Sequence, residues 1–68
     1  MTLGDFLPLI ANNAGLHFTV FDSDGTEVIT FYASGYEALS DILKARLIDE
    51  IVLTGEMNYI KLYLKEAI

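Results

Sequence analysis

The apolar positions near the start of the chain recur with the spacing of a helix. They follow an i, i+3, i+4, i+7 pattern that places four side chains on one stripe: Leu3, Phe6, Leu7 and Ile10. Thr2 and Asp5 form a capping pair at the start of this stripe. The pattern predicts a first helix over residues 2–12. Pro8 has no backbone N–H and clashes with the preceding turn, so we expect this helix to kink or to begin later.

Two runs rich in β-branched and aromatic residues follow, at residues 16–22 and 26–33. The turn between them, Asp-Ser-Asp-Gly, has the composition of a type I turn closed by a left-handed glycine. These features predict a β-hairpin. Pairing across a bulged turn would place Phe21 and Phe31 on one face, whereas a register change of one residue would move Phe31 to the other face.

The second half of the chain repeats the order of helix and hairpin. Ser34 and Glu37 have the spacing of a capping box. Apolar residues at helical spacing follow: Tyr36, Leu39, Ile42, Leu43 and Leu47. We therefore predict a second helix over residues 36–45. A second strand pair is predicted at 48–54 and 58–65.

Residues of the last run alternate between two chemical classes. Ile60, Leu62 and Leu64 are aliphatic, and the positions between them are tyrosine or lysine, which is the period of a strand with one buried face. The element order αββαββ predicts an α+β domain with two layers. We expect a four-stranded antiparallel sheet built from the two hairpins, with both helices on one face, in a single domain over residues 1–68.

Composition adds an expectation about assembly. The chain has 68 residues, of which 53% are hydrophobic, with no cysteine and one histidine. A domain this small buries only roughly 60% of its unfolded surface and usually needs additional stabilisation. Disulfides are impossible, and the ligands of a zinc site are missing. With a mean hydropathy of +0.42, the chain is expected to self-associate as a homo-oligomer without a cofactor.

The net charge of −6 narrows the range of partners. Only four residues are lysine or arginine, so direct binding to nucleic acid or to an anionic membrane is not expected. An acidic chain can instead bind a basic protein, although net charge also serves solubility alone. The first ten residues lack a basic leader, and no apolar run is long enough to span a membrane. We therefore expect a cytoplasmic protein.

The sheet face opposite the helices is predicted to be aromatic, which is typical of protein interfaces. Candidate interface residues are Phe21, Phe31, Tyr32, Val52, Tyr59 and Tyr63. Two alternatives stand beside this interpretation. These side chains could form an ordinary half-wet sheet surface with cross-strand contacts to Glu50. Aromatic residues interleaved with lysine also occur on platforms for single-stranded nucleic acid, but the acidic net charge argues against that function.

No pattern in the chain is typical of an active site. The single histidine, His17, lies on a predicted strand, where surface or interface roles are usual. Asp22, Asp24 and the following glycine resemble the start of a calcium loop, but the twelfth position is Ala33 rather than glutamate. Turn formation therefore explains these aspartates, and neither a metal site nor catalysis is expected.

A second surface is suggested by acidic side chains. Asp41, Asp49 and Glu50 form a candidate acidic edge. The ordinary interpretation is a solvated surface. The alternative is a mimic of the phosphate spacing of DNA, which would serve an inhibitor of a nucleic-acid-binding protein.

As a whole-chain pattern, the sequence resembles small acidic proteins encoded by phages and mobile elements of Gram-positive bacteria. The similarity lies in residues 2–7, 18–25, 49–53 and 59–64. This resemblance implies a cytoplasmic, non-enzymatic accessory protein, and some such proteins inhibit host defence enzymes. Two hypotheses result: a homo-oligomeric protein-binding module, and an acidic inhibitor of a basic host protein.

Overall fold

The computed structural model describes residues 1–13 and 15–66, which form two β-hairpins and three short helical segments. In chain order the elements are α1 (Leu3–Ile10), β1 (His17–Phe21), β2 (Glu27–Tyr32), a 3₁₀ helix (Ala33–Ala38), α2 (Asp41–Lys44), β3 (Ile48–Leu53) and β4 (Tyr59–Leu64). This order confirms the α+β class that the sequence predicts.

The four strands form a mixed sheet, which corrects the prediction of a purely antiparallel one. Their order is β2-β1-β4-β3, and the central pair, β1 with β4, is parallel. Residues 33–47 cross the sheet on the helical side and carry the chain from one edge strand to the other. A crossover of this length returns the chain to the end of the sheet where β2 began. The two hairpins therefore point the same way, and their inner strands are parallel.

The register of the first hairpin differs by one residue from the bulged-turn prediction. Phe18 pairs with Phe31 and Val20 with Ile29, and a bulge follows Val20. Phe31 therefore lies on the same face as Phe18, beneath the helices, and not beside Phe21 as predicted. The chain leaves no room for a larger residue at Gly35, because a Cβ there would lie 2.7 Å from the Phe31 ring.

The core lies between the helices and one face of the sheet. Its buried side chains are Leu3, Leu7, Phe18, Val20, Ala33, Leu39, Ile60, Leu62 and Leu64. The aliphatic residues of β4 are buried and the alternating ones are half-buried, as its period of two predicts. Because helical and strand residues share this one cluster, the helices cover one face of the sheet.

The first helix has the predicted start. Thr2 Oγ1 accepts a hydrogen bond from the Asp5 N–H at 3.1 Å, and Asp5 Oδ2 accepts one from the Thr2 N–H at 3.4 Å. This reciprocal pair confirms the capping box. The helix continues through Pro8 and ends at Ile10, two residues short of the predicted end.

The predicted second helix, residues 36–45, is broken into two parts. Leu39 and Ser40 have extended backbone conformations, which separate the 3₁₀ helix from α2. Ser40 Oγ accepts a hydrogen bond from the Leu43 N–H at 3.2 Å and so starts α2 as its cap. The 3₁₀ helix is preceded by Tyr32, so Ser34 lies within it and is not its cap, contrary to the prediction. The cap at Ser40 explains the break, which helical spacing of the apolar residues alone does not reveal.

Two glycines in turns provide a matched test of backbone conformation. A Cβ at either Gly25 or Gly55 would meet no atom within 4 Å, but only Gly25 has a left-handed φ, +86°. We expect Gly25→Ala to lower the free energy of unfolding by about 1 kcal/mol, because alanine is strained at this φ. Gly55→Ala should leave the free energy unchanged or raise it, as measured by urea unfolding. Equal losses in both variants would contradict the turn assignment.

Arg46 joins the turn of the first hairpin to the end of β4. Its Nη2 donates to Asp22 Oδ1 at 2.8 Å and to the Lys65 carbonyl at 2.9 Å. The Arg46 carbonyl in turn accepts a hydrogen bond from the Leu3 N–H at 2.8 Å. One side chain therefore links segments that are distant in sequence, and the hydrogen bond from Arg46 is the main reason that the pKa of Asp22 is lowered.

This lowered pKa makes the stability of the fold depend on pH in the acidic range. The pKa of Asp24 is also lowered, chiefly by the hydrogen bond from the Thr26 N–H. A carboxyl whose pKa is lower in the folded state contributes stability above its unfolded pKa of about 3.9 and loses it as the pH falls through the folded value. The midpoint temperature of thermal unfolding should therefore decrease as the pH is lowered below about 4. Thermal unfolding followed by circular dichroism should show that the midpoint of Asp22→Asn decreases less steeply with falling pH. The same dependence on pH in the variant and the original chain would contradict the role of Arg46.

Candidate interaction face of the sheet

The sheet face opposite the helices carries most of the ring side chains of the strands, of which Tyr32 is exposed and the others are half-buried. We call it the aromatic face and define it by His17, Phe21, Tyr32, Tyr59, Lys61 and Tyr63. Strand alternation places these residues on the side opposite Phe18 and Leu62. In the described part of the chain, no helix packs over them.

Two stacked ring pairs lie across the central strands. The Phe21 and Tyr63 centroids are 4.8 Å apart, with an angle of 15° between the planes. The His17 and Tyr59 centroids are 4.7 Å apart at 23°. Each pair consists of direct neighbours in the parallel register of β1 and β4. Tyr32 extends this row with an edge contact to His17 at 5.8 Å. The parallel pairing is therefore what assembles the rings.

A partly buried network of hydroxyl groups lies among the rings. Thr19 is only 2% exposed although no helix covers its side of the sheet. Its Oγ1 is hydrogen-bonded to Thr30 Oγ1 at 3.0 Å and to the Tyr59 hydroxyl at 2.7 Å. Sequence reasoning did not find this network, because threonine is common in any strand. The polar groups at the centre are satisfied internally, and the aromatic face can therefore be covered without leaving them unpaired.

Few charges lie on or beside the aromatic face. The Lys61 Nζ is 5.9 Å from the centroid of the Phe21 ring, within cation–π distance. In β3, Glu50 pairs with Tyr63 and Val52 pairs with Lys61. Glu50 and Val52 therefore lie at the border of the aromatic face. Among the residues described, the one salt bridge joins Arg46 to Asp22. Lys61 and Glu50 are therefore available for pairing with charges from outside.

The structure brings together most of the predicted interface residues. Phe21, Tyr59 and Tyr63 lie within the stacked pairs, and Tyr32 is 63% exposed beside them. Val52 is half-buried at the border. Phe31 is the exception, because the register places it on the covered face.

The predicted acidic residues do not share one surface element. Asp41 lies at the start of α2, in the helical layer, whereas Asp49 and Glu50 lie on the edge strand β3. All three side chains are exposed. Asp49 and Glu50 therefore form the part of this group that lies on the sheet.

Other chemistry is not assembled in the part of the chain that the structure describes. No three histidine, aspartate or glutamate side chains there are grouped to hold a metal ion. The carboxylates of Asp22 and Asp24 accept hydrogen bonds from the turn's own N–H groups, at 2.7 and 2.9 Å. A groove of about 460 Å³ opens beside Leu53, and its walls combine apolar side chains with polar ones, the Glu56 carboxylate among them.

The helices and the comparisons with known proteins add two further findings. No helix within residues 1–13 and 15–66 is long and apolar enough to cross a membrane. No protein-family model, no curated protein and no solved structure matches the chain. Functional inference therefore depends on the geometry of the surface.

Proposed function

We propose that this chain is a non-enzymatic, cytoplasmic protein-interaction module that forms a homo-oligomer through its aromatic face. One observation carries the proposal: the helices cover only one side of the sheet, and the other side presents two stacked aromatic pairs and an exposed Tyr32. Rings held against each other lose little conformational freedom on binding. Tyrosine and phenylalanine in such positions supply much of the energy of protein interfaces.

A second copy of the chain is the occupant that the local charges at the aromatic face favour, against the repulsion of the net charge. Lys61 and Glu50 lie diagonally across β4 and β3, since Lys61 pairs with Val52 and Glu50 with Tyr63, and neither is ion-paired within the described residues. A two-fold interface places each surface patch against its own copy. Lys61 of one copy can then face Glu50 of the other. The size and composition of the chain support the same conclusion, since 53% of its residues are hydrophobic and it has no disulfide.

The mass in solution tests this proposal. Each copy carries a net charge of −6, so the copies repel one another at low salt. Salt at about 0.5 M screens this repulsion and leaves aromatic contacts intact. We expect light scattering during chromatography to give a dimer or larger assembly that persists or strengthens at high salt. A monomer at both salt concentrations would contradict self-association.

A second candidate function is an acidic inhibitor of a basic protein, such as a nucleic-acid-binding or defence protein of a bacterial host. The observation that favours it is the exposure of Asp41, Asp49 and Glu50. The resemblance to small acidic phage and mobile-element proteins supports the same function. This candidate predicts binding that weakens with salt, and loss of binding when these three charges are reversed.

A further inference from the structure

The outer edge of β3 is open over residues 49–53. The strand lies at one edge of the sheet, pairs only with β4 on its inner side, and has a break in register between Ile48 and Glu50. Its first residues are covered, because the Ile48 N–H donates to the Met1 carbonyl at 2.9 Å and Thr2 forms a bridge with Leu47. Beyond Ile48, β4 is the one described segment that forms backbone hydrogen bonds with the strand. An open edge of this kind is a template for a further strand.

Apolar side chains follow this edge on the helical side of the sheet. Ile51 is 41% exposed and Leu53 is 80% exposed, although they pair with the buried Leu62 and Ile60 of β4. The helical layer therefore stops short of β3. The groove of about 460 Å³ opens at Leu53, and its lining mixes apolar side chains with polar ones, Glu56 among them. A strand added to β3 would place alternate side chains over the apolar strip of Ile51 and Leu53.

Carboxylates lie at both ends of the open edge. Asp49 and Glu50 precede the apolar residues, and Glu56 lies in the turn that follows. All three are exposed, and none forms a salt bridge within the described residues. Lysine or arginine side chains on an added strand would therefore meet opposite charge at each end.

We propose that the β3 edge binds an extended, basic segment of another protein by strand addition. Main-chain hydrogen bonds would supply affinity, while alternate apolar and cationic side chains would supply specificity. A segment of about five residues, roughly 17 Å long, spans the open part. This site does not depend on self-association through the aromatic face; it shares Asp49 and Glu50 with the acidic-inhibitor candidate and gives that candidate a mode of binding.

A second copy of the chain fits this edge poorly. In an antiparallel pair centred on Ile51, residues 54–56 of the copy would meet residues 46–48, where Met1 and Leu3 already bind. A centre nearer Leu53 would place Glu56 opposite Asp49 or Glu50. A parallel pair in register would place each carboxylate beside its own copy. Like charges directly opposite are destabilising, so a basic partner is favoured.

The other edge strand offers a weaker template. In β2, Val28 is 45% exposed, but Ile29 and Phe31 on the helical side are half-buried, so no continuous apolar strip is open there. Its nearby carboxylates lie at the start of the strand, Glu27 within it and Asp24 in the preceding turn, where Asp24 accepts a hydrogen bond from the Thr26 N–H. Of the two edge strands, β3 is the one that combines an open backbone edge with an exposed apolar strip and carboxylates at both ends.

A synthetic peptide tests the site directly. The probe is an acetylated and amidated peptide of seven residues that alternates lysine with valine, added to the intact chain labelled with ¹⁵N. We expect the amide signals of residues 49–53 to shift, and the affinity to fall at least about tenfold between roughly 0.05 and 0.3 M salt. No binding, or shifts confined to β2 or to the aromatic face, would overturn the proposal.

Two controls separate strand addition from charge attraction alone. A peptide with glutamate in place of lysine should not bind. Two N-methylated peptides test the main-chain hydrogen bonds, because each lacks the N–H donors along one edge of the peptide strand. At least one of them should bind about tenfold more weakly than the unmethylated peptide. Unchanged binding of both methylated peptides would contradict strand addition.

Matched variants of the chain locate the charges. Asp49→Lys with Glu56→Lys should weaken peptide binding at least about tenfold at 0.1 M salt, where charges more than about 10 Å apart are largely screened. Glu27→Lys with Glu37→Lys makes the same change of charge away from β3 and should have little effect. Equal weakening by both pairs would contradict the assignment to this edge. Light scattering of each variant shows whether self-association is retained, so failure of the two proposals can be distinguished.

Discussion

Replacing Phe18 by alanine is expected to lower the free energy of unfolding by about 3–5 kcal/mol, the usual range for a buried phenylalanine. Phe18 is fully buried in β1, a central strand, and its neighbours in the sheet are Phe31 and Ile60. A domain of this size rarely has more than about 3–5 kcal/mol of stability in total. The variant should therefore be largely unfolded without denaturant, as circular dichroism and urea titration would show.

Phe6→Ala is the matched control for this prediction. Phe6 is half-buried in α1 and packs at the border of the core. The same truncation there removes less buried surface and leaves less of a cavity, so the loss should be below about half that of Phe18→Ala. Equal losses at the two positions would contradict the position of the core between the helices and the central strands.

The second large effect is expected on self-association. Tyr32→Ser combined with Tyr63→Ser should raise the dissociation constant of the oligomer at least about 100-fold, because aromatic residues at the centre of an interface often contribute 2 kcal/mol or more each. Tyr32 is the most exposed ring of the aromatic face, and Tyr63 stacks on Phe21. Sedimentation equilibrium over a range of concentrations would measure the change.

Leu9→Ser with Met57→Ser serves as the control. These residues are 69% and 86% exposed and lie outside the aromatic face, in α1 and in the turn before β4. The control removes exposed apolar surface of similar size, so it should leave the dissociation constant nearly unchanged. A larger effect from the control than from the tyrosine pair would place the interface elsewhere.

Features that depend on short-range sequence could be predicted. The capping box of Thr2 and Asp5 involves residues three apart, and the alternation of β4 needs only its own six positions. For this reason Tyr59 and Tyr63 could be assigned to the uncovered face before the structure was known. In both cases a local rule and the tertiary structure agree.

Features that depend on long-range geometry could not be predicted. The parallel pairing of β1 with β4 is decided by the path of residues 33–47, which no local pattern specifies. The position of Phe31 depends on where the hairpin bulge falls, and a change of one residue exchanges the two faces. The open edge of β3 likewise depends on strand order. The exposure of Leu53 is therefore visible only in the folded chain.

The most direct test of self-association through the aromatic face is an isotope-filtered NOE experiment on a sample that mixes labelled and unlabelled copies. Such an experiment detects only contacts between two copies. We expect contacts between the rings of Tyr32 and Tyr63 of one copy and the aromatic face of the other. Intermolecular contacts confined to residues outside this face, or none at concentrations where the mass is that of an oligomer, would contradict the proposed interface.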